Sequence, residues 1–84
     1  MTKKEKLKDR LLAEPADFTF DELTTLLGRL GYTQTSRGQT GGSRVAFANQ
    51  KGDYLRLHKP HPRNILKRYQ IESLIAALKE RNLL

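Results

Sequence analysis

Residues 18–32 read FTFDELTTLLGRLGY, and the pattern inside this stretch decides how the rest of the chain must fold. Thr19 and Glu22 have the spacing of a capping box, in which each side chain satisfies a backbone amide left free at a helix start, and Phe18 is placed to staple onto Leu23 across the cap. Leu23, Leu26, Leu27 and Leu30 follow at i, i+3, i+4 and i+7, so they share one face of a helix over about 20–30. Gly31 stands where a left-handed residue would close that helix. The remainder of the chain has to cover a single apolar stripe.

After Gly31 the apolar period changes to two. Residues 32–37, 43–49 and 53–58 are expected to form three strands, joined by SRGQTGG (36–42) and NQKG (49–52). Strand side chains alternate between faces, so with Val45, Phe47, Leu55 and Leu57 turned inward, Arg44, Ala46, Ala48, Tyr54, Arg56 and His58 point outward. One sheet face is then apolar and the other basic. Pro60 and Pro62 keep Lys59 and His61 extended and end the sheet. Ile71, Leu74, Ile75 and Leu78 resume the helical spacing, which predicts a last helix over 67–81. Short connections between these elements imply an antiparallel meander with both helices on its apolar face. The expected fold class is α+β, an α-β-β-β-α sandwich like the double-stranded-RNA-binding fold. Upstream, residues 4–13 favour a further helix with a thin stripe of Leu7, Leu11 and Leu12, stopped at Glu14-Pro15. Residues 1–16 thus read as a helical extension without chemistry, and 17–84 as the functional domain.

Sixteen Lys and Arg against nine Asp and Glu give this 84-residue chain a formal charge of +7, which favours a polyanionic partner. The excess is not spread evenly. Six basic and six acidic side chains cancel in residues 1–30, and the last stretch beyond 68 is neutral. Residues 31–68 carry Arg37, Arg44, Lys51, Arg56, Lys59, Arg63, Lys67 and Arg68 against Asp53 alone. An anion-binding surface belongs in that segment.

The absence of cysteine excludes disulfides, thiolate chemistry and Cys-based zinc sites. No apolar run approaches the roughly 20 residues of a membrane span, and the first ten residues are too charged for a signal peptide, so a cytoplasmic protein is expected. GQTGGS (38–43) lacks the Gly-Lys-Ser/Thr of a P-loop and leads into a strand. It reads as a flexible hairpin loop or as a backbone surface for a phosphate. The two histidines, His58 and His61, are too few for a metal site, with Asp53 the one carboxylate in the segment. They do suit a metal-independent ribonuclease, which needs a group titrating near neutrality to take a 2′-hydroxyl proton and cations to stabilise the phosphorane. Arg44 and Arg56 on the same outward face supply the cations. The plainer reading makes His58 a rim residue and His61 a turn residue.

In order and spacing these residues resemble the HicA (YcfA-like) toxins of type II toxin–antitoxin systems, over about 18–80. The family's ELxxLLxxLGF helix is matched by Glu22, Leu23, Leu26, Leu27, Leu30, Gly31 and Tyr32. Its Gly-Ser-His strand opening followed by an aromatic is matched by Gly42, Ser43, Arg44 and Phe47. LHKPH (57–61) approximates its stretch after the third strand, and Ile71, Leu74 and Ile75 its closing helix. The resemblance implies a double-stranded-RNA-binding-like fold, mRNA cleavage without a cofactor, and neutralisation by a HicB-type antitoxin covering the active site. RNA contacts are then expected from Gly42, Ser43, Arg44, Arg56, Lys59, Arg63, Lys67 and Arg68. One departure matters. The family's catalytic histidine aligns with Arg44, and arginine stays protonated at biological pH, so it cannot be a general base. Either His58 or His61 performs the proton transfer, or the domain binds RNA without cutting it. A protein-interaction domain with no affinity for RNA is the third class.

Overall fold

The capping box forms in full: Glu22 N donates to Thr19 Oγ1 at 3.1 Å, and Thr19 N donates to Glu22 Oε1 at 3.0 Å. In the computed structural model of the chain, which describes residues 3–35, 44–60 and 63–84, this cap opens helix α2. The elements are α1 (Lys3–Leu12), α2 (Phe20–Arg29), β1 (Thr33–Thr35), β2 (Arg44–Ala48), β3 (Tyr54–His58) and α3 (Arg68–Glu80). Each lies within a residue or two of its expected bounds, and the expected strand positions 36, 37 and 43 lie outside the described residues. Gly31, at φ 96°, closes α2 as its position implied. Tyr32 N donates to Leu27 O and Gly31 N to Gly28 O, the two bonds of a Schellman closure. Helix α3 ends the same way on Asn82, at φ 59°, with Leu83 N donating to Leu78 O.

The three strands form one antiparallel sheet in the order β1-β2-β3. Val45, Phe47 and Leu55 turn one face of it into the core, where they meet Phe18, Phe20, Leu23, Leu26 and Leu27 at α2 and Ile71, Leu74 and Leu78 of α3. Phe20 and Phe47 join the layers with ring centres 6.0 Å apart. This is the small α+β arrangement of helices over a three-stranded meander. Ala46 is the exception to simple alternation. Its parity points it away from the core, yet it is buried, because Thr35 and Arg56 flank it from both neighbouring strands and a methyl group does not rise above them.

Helix α1 docks on this core through few residues. Leu11 is wholly buried in the common core and Leu7 partly so, while Leu12, expected in the same stripe, is 42% exposed. Arg10 fixes the docking: its Nε donates to Glu22 at 2.7 Å and its guanidinium also reaches Asp17 at 3.0 Å. The Arg10 hydrogen bond holds the Glu22 carboxyl below its usual range. The capping carboxylate is thereby kept charged.

Two long-range ties complete the frame. Phe20 N donates to Asn64 O and Leu66 N to Phe18 O, so the chain entering α3 pairs with the chain entering α2. Across the molecule, Arg81 grips Asp53 with Nε at 2.5 Å and a second nitrogen at 3.2 Å, and Tyr32 donates its hydroxyl to the same carboxylate. No helix among the described residues is long and apolar enough to cross a membrane.

Candidate nucleic-acid interface

The turn between β2 and β3 sets the geometry of the outward face. Asn49 Oδ1 accepts from Lys51 N at 3.0 Å and Asp53 N at 2.9 Å, and Gly52 takes φ 85°, so Asn49 lies opposite Asp53 with Asn49 N donating to Asp53 O. An Asn hydrogen-bonding its own turn and a glycine in the left-handed region are what a short hairpin loop demands. Counting from that bonded pair, register places Ala48 opposite Tyr54, Ala46 opposite Arg56 and Arg44 opposite His58. Bonded and non-bonded pairs alternate along an antiparallel ladder. The Arg44 and His58 pair is therefore of the non-bonded kind, in which Cα atoms approach to about 4.5 Å and side chains come closest.

Gln70 secures the His58 end. Its Oε1 accepts from Lys67 N at 3.0 Å at the start of α3, and its Nε2 donates to His58 O at 2.8 Å. Gln70 is buried, so this bond fixes where β3 stops relative to α3. Along the same face the Arg56 guanidinium lies 5.1 Å over the Tyr54 ring. Arg44, Arg56 and His58 are all exposed. The result is a solvent-facing strip of imidazole, two guanidiniums and one aromatic ring, a set able to hold phosphates and to stack on a base.

No protein-family model, curated protein or solved structure matches the chain.

The remaining expected RNA contacts separate into groups. Arg63 and Lys67 are exposed in the connection between β3 and α3. Lys59 turns to the helix side, its ammonium 5.6 Å from the centre of the Phe20 ring. Arg68 is 78% exposed but lies 3.6 Å from both Glu14 and Glu72, so two carboxylates already face its charge. Gly42, Ser43 and His61 lie outside the described residues. Asp53 is committed to Arg81 and Tyr32; the Arg81 bond first, and then the Tyr32 bond, lower its pKa to about 2. Among the described residues, no three His, Cys, Asp or Glu side chains are grouped to hold a metal ion.

Sequence reasoning did not reach Gln70 or Tyr69. Gln70 stands three residues after Lys67 at a helix start, the position from which a Gln side chain reaches back to the cap. That spacing was a readable signal for its first bond, but the second, to His58, exists only in the folded chain. Tyr69 is 60% exposed beside the end of β3, and no periodicity marks an aromatic on the solvent side of a helix.

Proposed function

We propose that this chain is an mRNA interferase toxin resembling the HicA family, with a double-stranded-RNA-binding-like fold and a HicB-type antitoxin as partner. The observation that carries the reading is the direct opposition of Arg44 and His58 on the exposed sheet face. In the reaction, the His58 imidazole takes the proton of an RNA 2′-hydroxyl, and that oxygen attacks the adjacent phosphorus. The bond from phosphorus to the 5′-oxygen breaks, leaving a 2′,3′-cyclic phosphate and a 5′-hydroxyl whose proton comes from water. Arg44, across the strand from the base, offsets the negative charge that builds on the phosphoryl oxygens. Arg56, two residues along the same face, holds the neighbouring phosphate. An mRNA substrate implies a cytoplasmic protein, and a cationic face of this kind suits an acidic antitoxin.

A second reading, an RNA-binding domain that does not cut, is favoured by Arg44 itself, which stands where the family carries its catalytic histidine. Incubating the pure protein with mRNA in EDTA separates the two. The toxin reading expects cleavage with cyclic-phosphate ends, reduced about 100-fold or more in His58→Ala with RNA binding retained. Arg44→Ala is expected to lower both binding and cleavage. No cleavage by the parent protein would leave the binding domain standing, and undiminished cleavage by His58→Ala and by His61→Ala would reject histidine as the base. Co-expression with the antitoxin encoded beside it is expected to yield a complex.

A further inference from the structure

Strand β3 is an edge: the sheet order ends on it, and among the described residues no fourth strand pairs with it. The ladder phase set at Asn49 and Asp53 tells which backbone groups face outward from that edge. Leu55 and Leu57 pair with β2, so Tyr54, Arg56 and His58 turn their N–H and C=O groups the other way. Gln70 takes the His58 carbonyl, which leaves the Arg56 N–H and C=O as the central donor and acceptor of the open side.

Alongside this edge runs a groove of about 340 Å³ between β3 and α3, with Leu55, Leu57, Tyr69, Ser73, Leu74 and Ala77 lining it. Its walls are mostly apolar, and the exposed Arg56 and His58 are also among the residues that line it. Helix α3 thus forms one wall of the groove and β3 the other, and among the described residues no further strand covers it.

We propose that the β3 edge and this groove receive an extended acidic segment of a partner protein as a fourth strand, its side chains alternating apolar and acidic. Strand addition fits both halves of the site. The added backbone pairs with Arg56, alternate apolar side chains enter the groove over Leu74 and Ala77, and the intervening carboxylates lie on the outward face beside Arg56 and the Arg44 and His58 pair. Charge selects this occupant over a second copy of the chain. A symmetric β3-to-β3 pairing would join two basic faces, each on a chain of formal charge +7. The inference stands on the edge and the groove, and holds whether or not the chain cuts RNA.

The test is a titration of the protein with a short peptide alternating glutamate with valine, followed by amide hydrogen exchange. A lysine-for-glutamate peptide and one with proline in place of the central valine serve as controls. The Arg56 amide is expected to gain protection from the glutamate peptide alone, while the Leu57 amide, already paired with β2, stays unchanged. Arg56→Glu and Ser73→Glu, both surface changes, are each expected to weaken the peptide about fivefold or more. Peptide binding without protection at Arg56, or equal binding of the lysine or proline peptide, overturns the proposal. Protection that rises with protein concentration in the absence of peptide assigns the edge to a second copy instead. Protection by an RNA oligonucleotide with none from the peptide assigns it to nucleic acid.

Discussion

Gly28 and Gly31 stand three positions apart at the end of one helix and do opposite things. Beyond its chain neighbours and its own helix backbone, neither would bring a Cβ within 4 Å of another atom, so backbone conformation decides the effect of an alanine. Gly28 is helical, and Gly28→Ala is expected to raise stability by about 0.5–1 kcal/mol. Gly31, at φ 96°, is in a region that a side chain disfavours, and Gly31→Ala is expected to lower stability by about 1–2 kcal/mol. Urea unfolding midpoints of the two variants check the pair, and a shift of the same sign in both would refute the assignment. At this scale much was legible in the sequence. The roles of Thr19, Glu22 and Gly31 depend on neighbours within a turn, which spacing records. Arg68 and Ala46 show where that stops: a basic residue at a helix start looks like an anion contact until Glu14 is folded against it, and an outward alanine looks exposed until longer side chains flank it.

Between elements, the Asp53 carboxylate is the knot that joins the β2–β3 turn to the end of α3 and to Tyr32. Its folded pKa, about 2, lies below the ordinary carboxylate value of 3.8. A depressed carboxylate stabilises the fold above its unfolded pKa and loses that contribution as pH falls through the folded one. Stability is therefore expected to drop between about pH 4 and pH 2, and Asp53→Asn is expected to remove this part of the acid sensitivity while lowering stability at neutral pH. Acid titrations followed by circular dichroism compare the two; parallel curves would exclude Asp53 as the source. Nothing local in the sequence announces this tie, because Asp53 and Arg81 are separated by a whole strand, β3, and a whole helix, α3, and meet only once both are packed. The strand register was illegible for the same reason. Alternation tells which residues share a face, but only the Asn49 turn geometry tells that Arg44 faces His58 and not a neighbour.

For the molecule as a whole, the excess charge read from residues 31–68 is divided by the fold. Arg44, Arg56, Arg63 and Lys67 are exposed; Arg68 is exposed as well, with the Glu14 and Glu72 carboxylates beside its guanidinium. If these four each meet a phosphate of single-stranded RNA, log affinity should fall with log salt at a slope of about −3. Arg56→Ala is expected to flatten that slope by about 0.7, and Arg68→Ala to leave it nearly unchanged. Filter binding across a salt series measures both, and a larger change for Arg68→Ala would contradict this division. The pairing of the chain entering α2 with the chain entering α3 has a kinetic consequence. It encloses α2 and the entire sheet in one long loop, whose closure entropy must be met before its bonds can form. The β2–β3 hairpin needs only its own short turn. In pulse-labelled refolding, amides of Val45 and Leu57 should be protected early, and those of Phe20 and Leu66 last. The molecule then locks from its hairpin outward, and the seam beside Thr19 is the final part to close.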